Sequence, residues 1–136
     1  MKIIPIEGKN FLLEKYLLST DLYLGLWSST TSEFPRLDIN LSSWSKVYEI
    51  SFNEYSRKKV SKVNWIYNAS LGAYENTEFS FLPQTQNWTN VRGYFITTSN
   101  DNTGDLFTLV AFDSAKTFLK GLVEAELVIV PRYTFV

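Results

Sequence analysis

The chain of 136 residues contains neither cysteine nor histidine. Without cysteine there is no disulfide, no thiol nucleophile and no zinc–thiolate site. Without histidine the commonest general base and the commonest metal ligand are missing, which excludes Ser-His and His-metal chemistry. An excess of one charge is also lacking: 13 basic and 14 acidic residues leave a net charge of −1. Nucleic-acid binders ordinarily carry a basic excess because phosphate contacts dominate their affinity, so no specific nucleic acid is expected as a partner. No apolar run approaches the roughly 18 residues that span a bilayer, and no membrane partner is expected. The first ten residues, MKIIPIEGKN, lack the apolar stretch of a signal peptide, which points to a protein made in a reducing cytoplasm.

No composition break suggests a second domain, so residues 1–136 are read as one. Aromatic residues make up 16% of the chain, alongside abundant Ser, Thr and Asn. Aromatic side chains suit pleated, half-buried surfaces, while Asn, Ser and Gly suit the turns between strands. The expected fold is mainly β: an antiparallel β-sandwich, jelly-roll-like, with one short N-terminal helix. That helix is read in NFLLEKYLLST, where Leu12, Leu13, Tyr16 and Leu17 share a face and Asn10 stands at the N-cap position. In DLYLGLWSS, Leu22, Leu24 and Leu26 alternate with Tyr23, Gly25 and Trp27, as a strand requires. Residues 29 to 46 read as a long loop around Pro35, followed by strand candidates in VYEISFNEY, RKKVSKVNWIYNA and NTEFSFLP. A hairpin, GYFIT to LFTLVAF, and a final strand in AELVIVPRYTFV complete the pattern.

The polar stretch Ser99 to Asp105 separates the two hairpin strands. Counted from Asp101, the sixth and twelfth residues are Leu106 and Phe112, where a calcium loop needs Gly and Glu. Asn and Gly are what a bend between strands needs, so a bend is the reading. Glu124 and Glu126, two apart on a strand, would lie on one face about 6–7 Å apart, the remaining candidates for acid–base chemistry. Nothing beside them suggests burial, and no catalytic residue is assigned. Arg57, Lys58, Lys59 and Lys62 could dock on an acidic surface, but lysines also guard solvated strand edges, and the near-zero net charge favours the edge. Trp27, Trp44, Trp65 and Trp88 could form a stacking platform for sugars or anchor a core, with Trp44 the least core-like. Asn40, Asn68 and Asn87 begin Asn-x-Ser/Thr triplets, which chance produces in a chain of this composition. No cofactor and no metal is expected, and the partner-contacting residues are not readable at this stage.

The order of these segments resembles a family of small virion structural proteins of tailed bacteriophages. EGKNFLLEKYLL is followed by LYLGLWSSTTSEFP, then EYSRKKVSKVNW, GYFIT, LFTLVAFD and LVIVPRYTF, so the similarity covers nearly the whole chain. Two places depart from the family pattern, Trp27-Ser28-Ser29 after the first strand and Ala125-Glu126 before the last. The resemblance implies a structural protein made in a bacterial host and attached to the virion. Its expected role is capsid decoration, cementing the major capsid protein; a tail or fibre location and a carbohydrate-binding module are the alternatives. Apolar residues on both faces of LFTLVAF and LVIV further suggest self-association, which hides an otherwise exposed patch. A homo-oligomer is therefore expected, a trimer ahead of a dimer because capsid lattices offer local three-fold sites.

Overall fold

The alternation of Leu22, Leu24 and Leu26 with Tyr23, Gly25 and Trp27 produces strand β1, Leu22–Ser28, in a computed structural model that describes residues 3, 5–29, 40–122 and 126–134. Ahead of it lies helix α1, Ile6–Ser19. This helix begins five residues before the expected start: Pro5, not Asn10, holds the cap position, and the Pro5 carbonyl accepts from the Lys9 amide at 3.0 Å. A proline is tolerated there because the first helical amides have no internal partner in any case. Leu17 is fully buried, and Leu13 and Tyr16 pack beside it.

After β1 the described chain resumes with helix α2, Leu41–Tyr48. The remaining strands are β2 (Lys58–Val60), β3 (Ile66–Asn68), β4 (Ala73–Glu75), β5 (Phe79–Phe81), β6 (Trp88–Thr97), β7 (Leu106–Phe118), β8 (Leu127–Ile129) and β9 (Arg132–Thr134). Among the described residues all pairings are antiparallel and form three sheets, in the orders β2-β1-β6-β7, β3-β4-β9 and β5-β8. The mainly β class, the antiparallel sheets and the N-terminal helix are as expected. The described strands do not trace the two four-stranded sheets of a jelly roll.

Three local expectations are corrected. Residues 41–46, read as the end of a loop, are helical, in a helix that runs on to Tyr48: the Asn40 side chain accepts from the Ser43 amide at 2.9 Å, an N-cap. VYEISFNEY is not a strand, because Val47 and Tyr48 close α2 and the segment's sheet pairing is limited to an isolated bridge between Glu49 and Trp27. The final strand is two. Pro131 cannot donate to a ladder, so β8 pairs with β5 while β9 crosses to β4.

The four-stranded sheet is apolar on both faces. One face, with Leu22, Leu24, Leu26, Val60 and Ile96, joins Leu17, Trp65, Phe81, Trp88 and Ile129 in the main core. On the other, Trp27 and Phe95 meet Trp44 of α2, flanked by Tyr48, Leu109 and Ala111. The second face is thus covered at this point within the chain, by α2. Trp44, taken for the least core-like tryptophan, is 0% exposed. It lies 4.9 Å from the Phe95 ring and 6.3 Å from Trp27, both edge-on.

Between β6 and β7 the register slips: Val91 faces Lys116 but Gly93 faces Ala111, so Phe112 to Ala115 stand opposite Arg92 alone. The Arg92 guanidinium bridges this bulge by donating to the Phe112 carbonyl. Gly93 is required beside it. A Cβ there would sit 1.9 Å from the Val110 carbonyl and 2.7 Å from Trp27 Nε1, the two atoms that bond at 3.0 Å across the glycine.

Candidate functional site

Arg57 is the most heavily engaged polar residue of the described chain, and the sequence placed it on a solvated edge. Its side chain is only 5% exposed. Nε donates to Glu49 Oε2 at 2.9 Å and Nη2 to Glu49 Oε1 at 2.8 Å, a bidentate pair. Nη1 donates to the carbonyls of Ser99, at 3.2 Å, and Asp101, while Nη2 also reaches Asn102 Oδ1 at 2.7 Å. All five guanidinium donors are spent. The cation also lies 5.3 Å from the Phe95 ring centre, so one residue ties the hairpin bend to the second core.

Glu49 is positioned for this because it closes α2, its amide bonding the Ser45 carbonyl, while the next amide, Ile50, donates to Leu26. Tyr55 completes the network. Its hydroxyl donates to Glu49 Oε2 at 2.7 Å and accepts from the Leu26 amide at 3.0 Å. Burial, then the neighbouring Glu49 carboxylate, pushes the Tyr55 phenol well above its ordinary range, so it stays protonated. The ring tip passes over Gly25, where a Cβ would lie 2.5 Å from the Tyr55 hydroxyl oxygen. Glu49, Arg57 and a Tyr55 phenol that stays protonated thus form a closed hydrogen-bonded network that fastens the end of α2 to β1 and to the bend.

The bend itself is ordered from within. Asp101 Oδ1 accepts from the Thr103 amide at 2.9 Å and the Thr103 hydroxyl at 2.6 Å, which lowers its pKa. Ser99 Oγ accepts from the Gly104 amide at 2.9 Å, and Thr98 Oγ1 from the Asp105 amide at 2.8 Å. Ser99 to Asp105 is a bend, as read, but a docked one. A cleft of about 510 Å³ runs between it and residues 49–57, with Glu49, Tyr55 and Arg57 in its wall.

The basic cluster comes apart. Lys59 pairs with Asp21 at 3.3 Å on the surface, and Lys58 Nζ lies 4.9 Å over the Phe81 ring. The Lys62 amide, then Lys59, holds the Asp21 carboxyl below its ordinary range. All four tryptophans are buried, so they anchor the core, Trp44 included, rather than forming the alternative stacking platform for sugars. Asn68 donates to Glu75 Oε1 at 2.8 Å, and Asn87 Oδ1 accepts from the Lys120 amide at 2.9 Å. With Asn40 capping α2, all three triplet asparagines serve the fold. Glu126 is exposed, and Glu124, its proposed companion, lies outside the described residues.

A second concavity, about 520 Å³, follows the β3–β4 hairpin, lined among others by Asn64, Ile66, Tyr67, Asn68, Glu75 and Thr77. Glu75 is pinned from two sides, by Asn68 and by Arg132, whose Nη2 lies 2.7 Å from Oε2. These two contacts lower the Glu75 pKa, Asn68 first. Sequence patterning gave no sign of the Glu75–Arg132 pair, which joins β4 to β9 across 57 residues of chain. No protein-family model, no curated protein and no solved structure matches this chain.

Proposed function

We propose that the chain is a structural protein of a tailed-bacteriophage virion: a capsid decoration, or cement, protein that clamps major capsid protein subunits and stabilises the head. The segment order described above supports the family. The structural observation that carries the reading is α1. Its inward residues join the core, yet Phe11, Leu12 and Leu18 on its other sides remain exposed, Phe11 by 57%. Large apolar side chains on the outward side of a helix are suited to a further protein surface. A clamp needs area rather than chemistry: an interface of about 1,600 Å² reaches nanomolar affinity or better, and an oligomer gains further by avidity.

A homo-oligomer, trimer ahead of dimer, belongs to the same proposal. Its first premise, an uncovered second face of the large sheet, is weakened by α2. The proposal now rests on α1 and on the half-exposed Phe107 of β7, whose ring sits 5.1 Å from Tyr16 of that helix. Quantitative mass spectrometry of purified virions tests the role: copies in proportion to the major capsid protein support decoration. A few copies per particle would reject it in favour of the tail. Light scattering at micromolar concentration tests the assembly, and a stable 15.7 kDa monomer would remove it.

A further inference from the structure

We propose that helix α1 and the β3–β4 hairpin form one docking surface for a protein segment that is both apolar and basic. The inference rests on the virion reading above and names the chemistry of the surface that the clamp would meet. Glu7, Phe11, Glu14 and Leu18 recur at i, i+4, i+7 and i+11, so they line one stripe along α1. The stripe borders the hairpin, because Glu14 accepts from the Tyr74 hydroxyl at 3.0 Å. Tyr74 and Tyr67 stand opposite each other in the β3–β4 ladder and so share a face, their rings 5.4 Å apart. Tyr133 of β9, opposite Tyr74 in the next ladder, carries the same face inward and packs against the main core. Tyr67 is thus the outer end of an aromatic row on the side of the sheet that meets α1.

Large apolar groups are open along this surface: Phe11 is 57% exposed, Tyr67 49% and Leu18 45%. At about 200 Å² for a whole aromatic side chain, Phe11 and Tyr67 alone leave about 200 Å² to water. Leu18 enlarges the patch toward the size that marks a protein contact, and tyrosine is among the residues that carry most binding energy there. The charge of the stripe is of one sign. Among the described residues neither Glu7 nor Glu14 pairs with a cation, and Lys15, the cation beside them, lies over the Phe11 ring at 5.7 Å. A complementary partner therefore brings apolar side chains to Phe11, Leu18 and Tyr67, and a Lys or Arg to the two carboxylates. A second copy would bring the same carboxylates and fits poorly. Self-association is left to the opposite flank of α1, where Tyr16 meets Phe107.

The test is co-sedimentation of the intact protein and its point variants with phage heads that lack it, at low and high salt. Tyr67→Ala should weaken binding about tenfold, as loss of an aromatic anchor does. Glu7→Lys, at an exposed position, should weaken binding at low salt and reduce its salt dependence. Val47→Ser, which removes an apolar group 68% exposed on α2, should leave binding unchanged. Thermal midpoints establish that the variants fold; should Tyr67→Ala melt early, Glu7→Lys decides alone. Affinity unchanged in Glu7→Lys or in a folded Tyr67→Ala, or lowered equally by Val47→Ser, would overturn the proposal and leave the cement role standing. Failure of the unaltered protein to bind heads would remove both.

Discussion

Replacing Arg57 with alanine should be among the most damaging substitutions a polar residue of this chain can undergo. The change leaves Glu49, whose side chain is 17% exposed, without its cation and with Tyr55 as its one remaining side-chain donor. It also strips donors from the Ser99 and Asp101 carbonyls and from Asn102. Breaking a buried ion pair on one side costs about 3–5 kcal/mol. Glu49 keeps some access to water, so the lower end, about 3 kcal/mol, is expected, or roughly 10 °C in Tm for a domain of this size. Urea unfolding followed by the emission of the four buried tryptophans measures it directly. Arg57→Lys should recover part of the loss, because an ammonium cannot bridge two carboxylate oxygens and three further acceptors at once. A double cycle with Glu49→Gln should return a coupling above ~1.5 kcal/mol. A loss below ~1 kcal/mol, the range of an exposed pair, would show that Arg57 does not hold the bend.

Trp44→Ala should cost about 3–5 kcal/mol by emptying the second core, whereas Trp44→Phe should cost clearly less, since the Trp44 indole N–H has no acceptor to lose. Gly93→Ala should destabilise by at least ~3 kcal/mol or prevent folding, and Trp27→Phe should partly relieve it, which thermal melts of the single and double variants would reveal. In acid, Asp21, Glu75 and Asp101 have lowered folded pKa values, so their contribution is present above the ordinary carboxylate range and disappears as pH falls through it; the urea midpoint should drop there, less so in Glu75→Gln. In alkali the sign is reversed: Tyr55 and Tyr133 have raised folded values, so the stability they confer is intact below about pH 10 and declines above it. Tyrosinate absorbance rising in step with unfolding, rather than before it, would be the signature.

Elements whose pattern reports a local surface were legible from the residues alone. β1, the β6–β7 hairpin and its Asn- and Gly-bearing bend follow from alternation and turn chemistry, which act over a few residues. Helix α2 was not legible, because LSSWSKVY holds three serines of middling helix propensity and is stabilised by Trp44 reaching a sheet formed elsewhere. One signal was present and was read otherwise: Asn40 three residues before Ser43 is an N-cap spacing, masked by its resemblance to a glycosylation triplet. Arg57 escaped for a different reason. Its place among Lys58, Lys59 and Lys62 suggested solvent, while its actual partners lie 8 residues back and 42 to 45 residues ahead. The Glu75–Arg132 pair depends likewise on a strand that returns from the end of the chain.

Binding of the purified protein to phage heads that lack it, measured by co-sedimentation, tests the cement role most directly. Saturable binding to heads at a fixed ratio to the major capsid protein is the predicted result, abolished in a folded Phe11→Ser/Leu18→Ser variant that removes the outward apolar face of α1. Protein remaining in the supernatant at saturating concentration, or pelleting equally well with that variant, would contradict it.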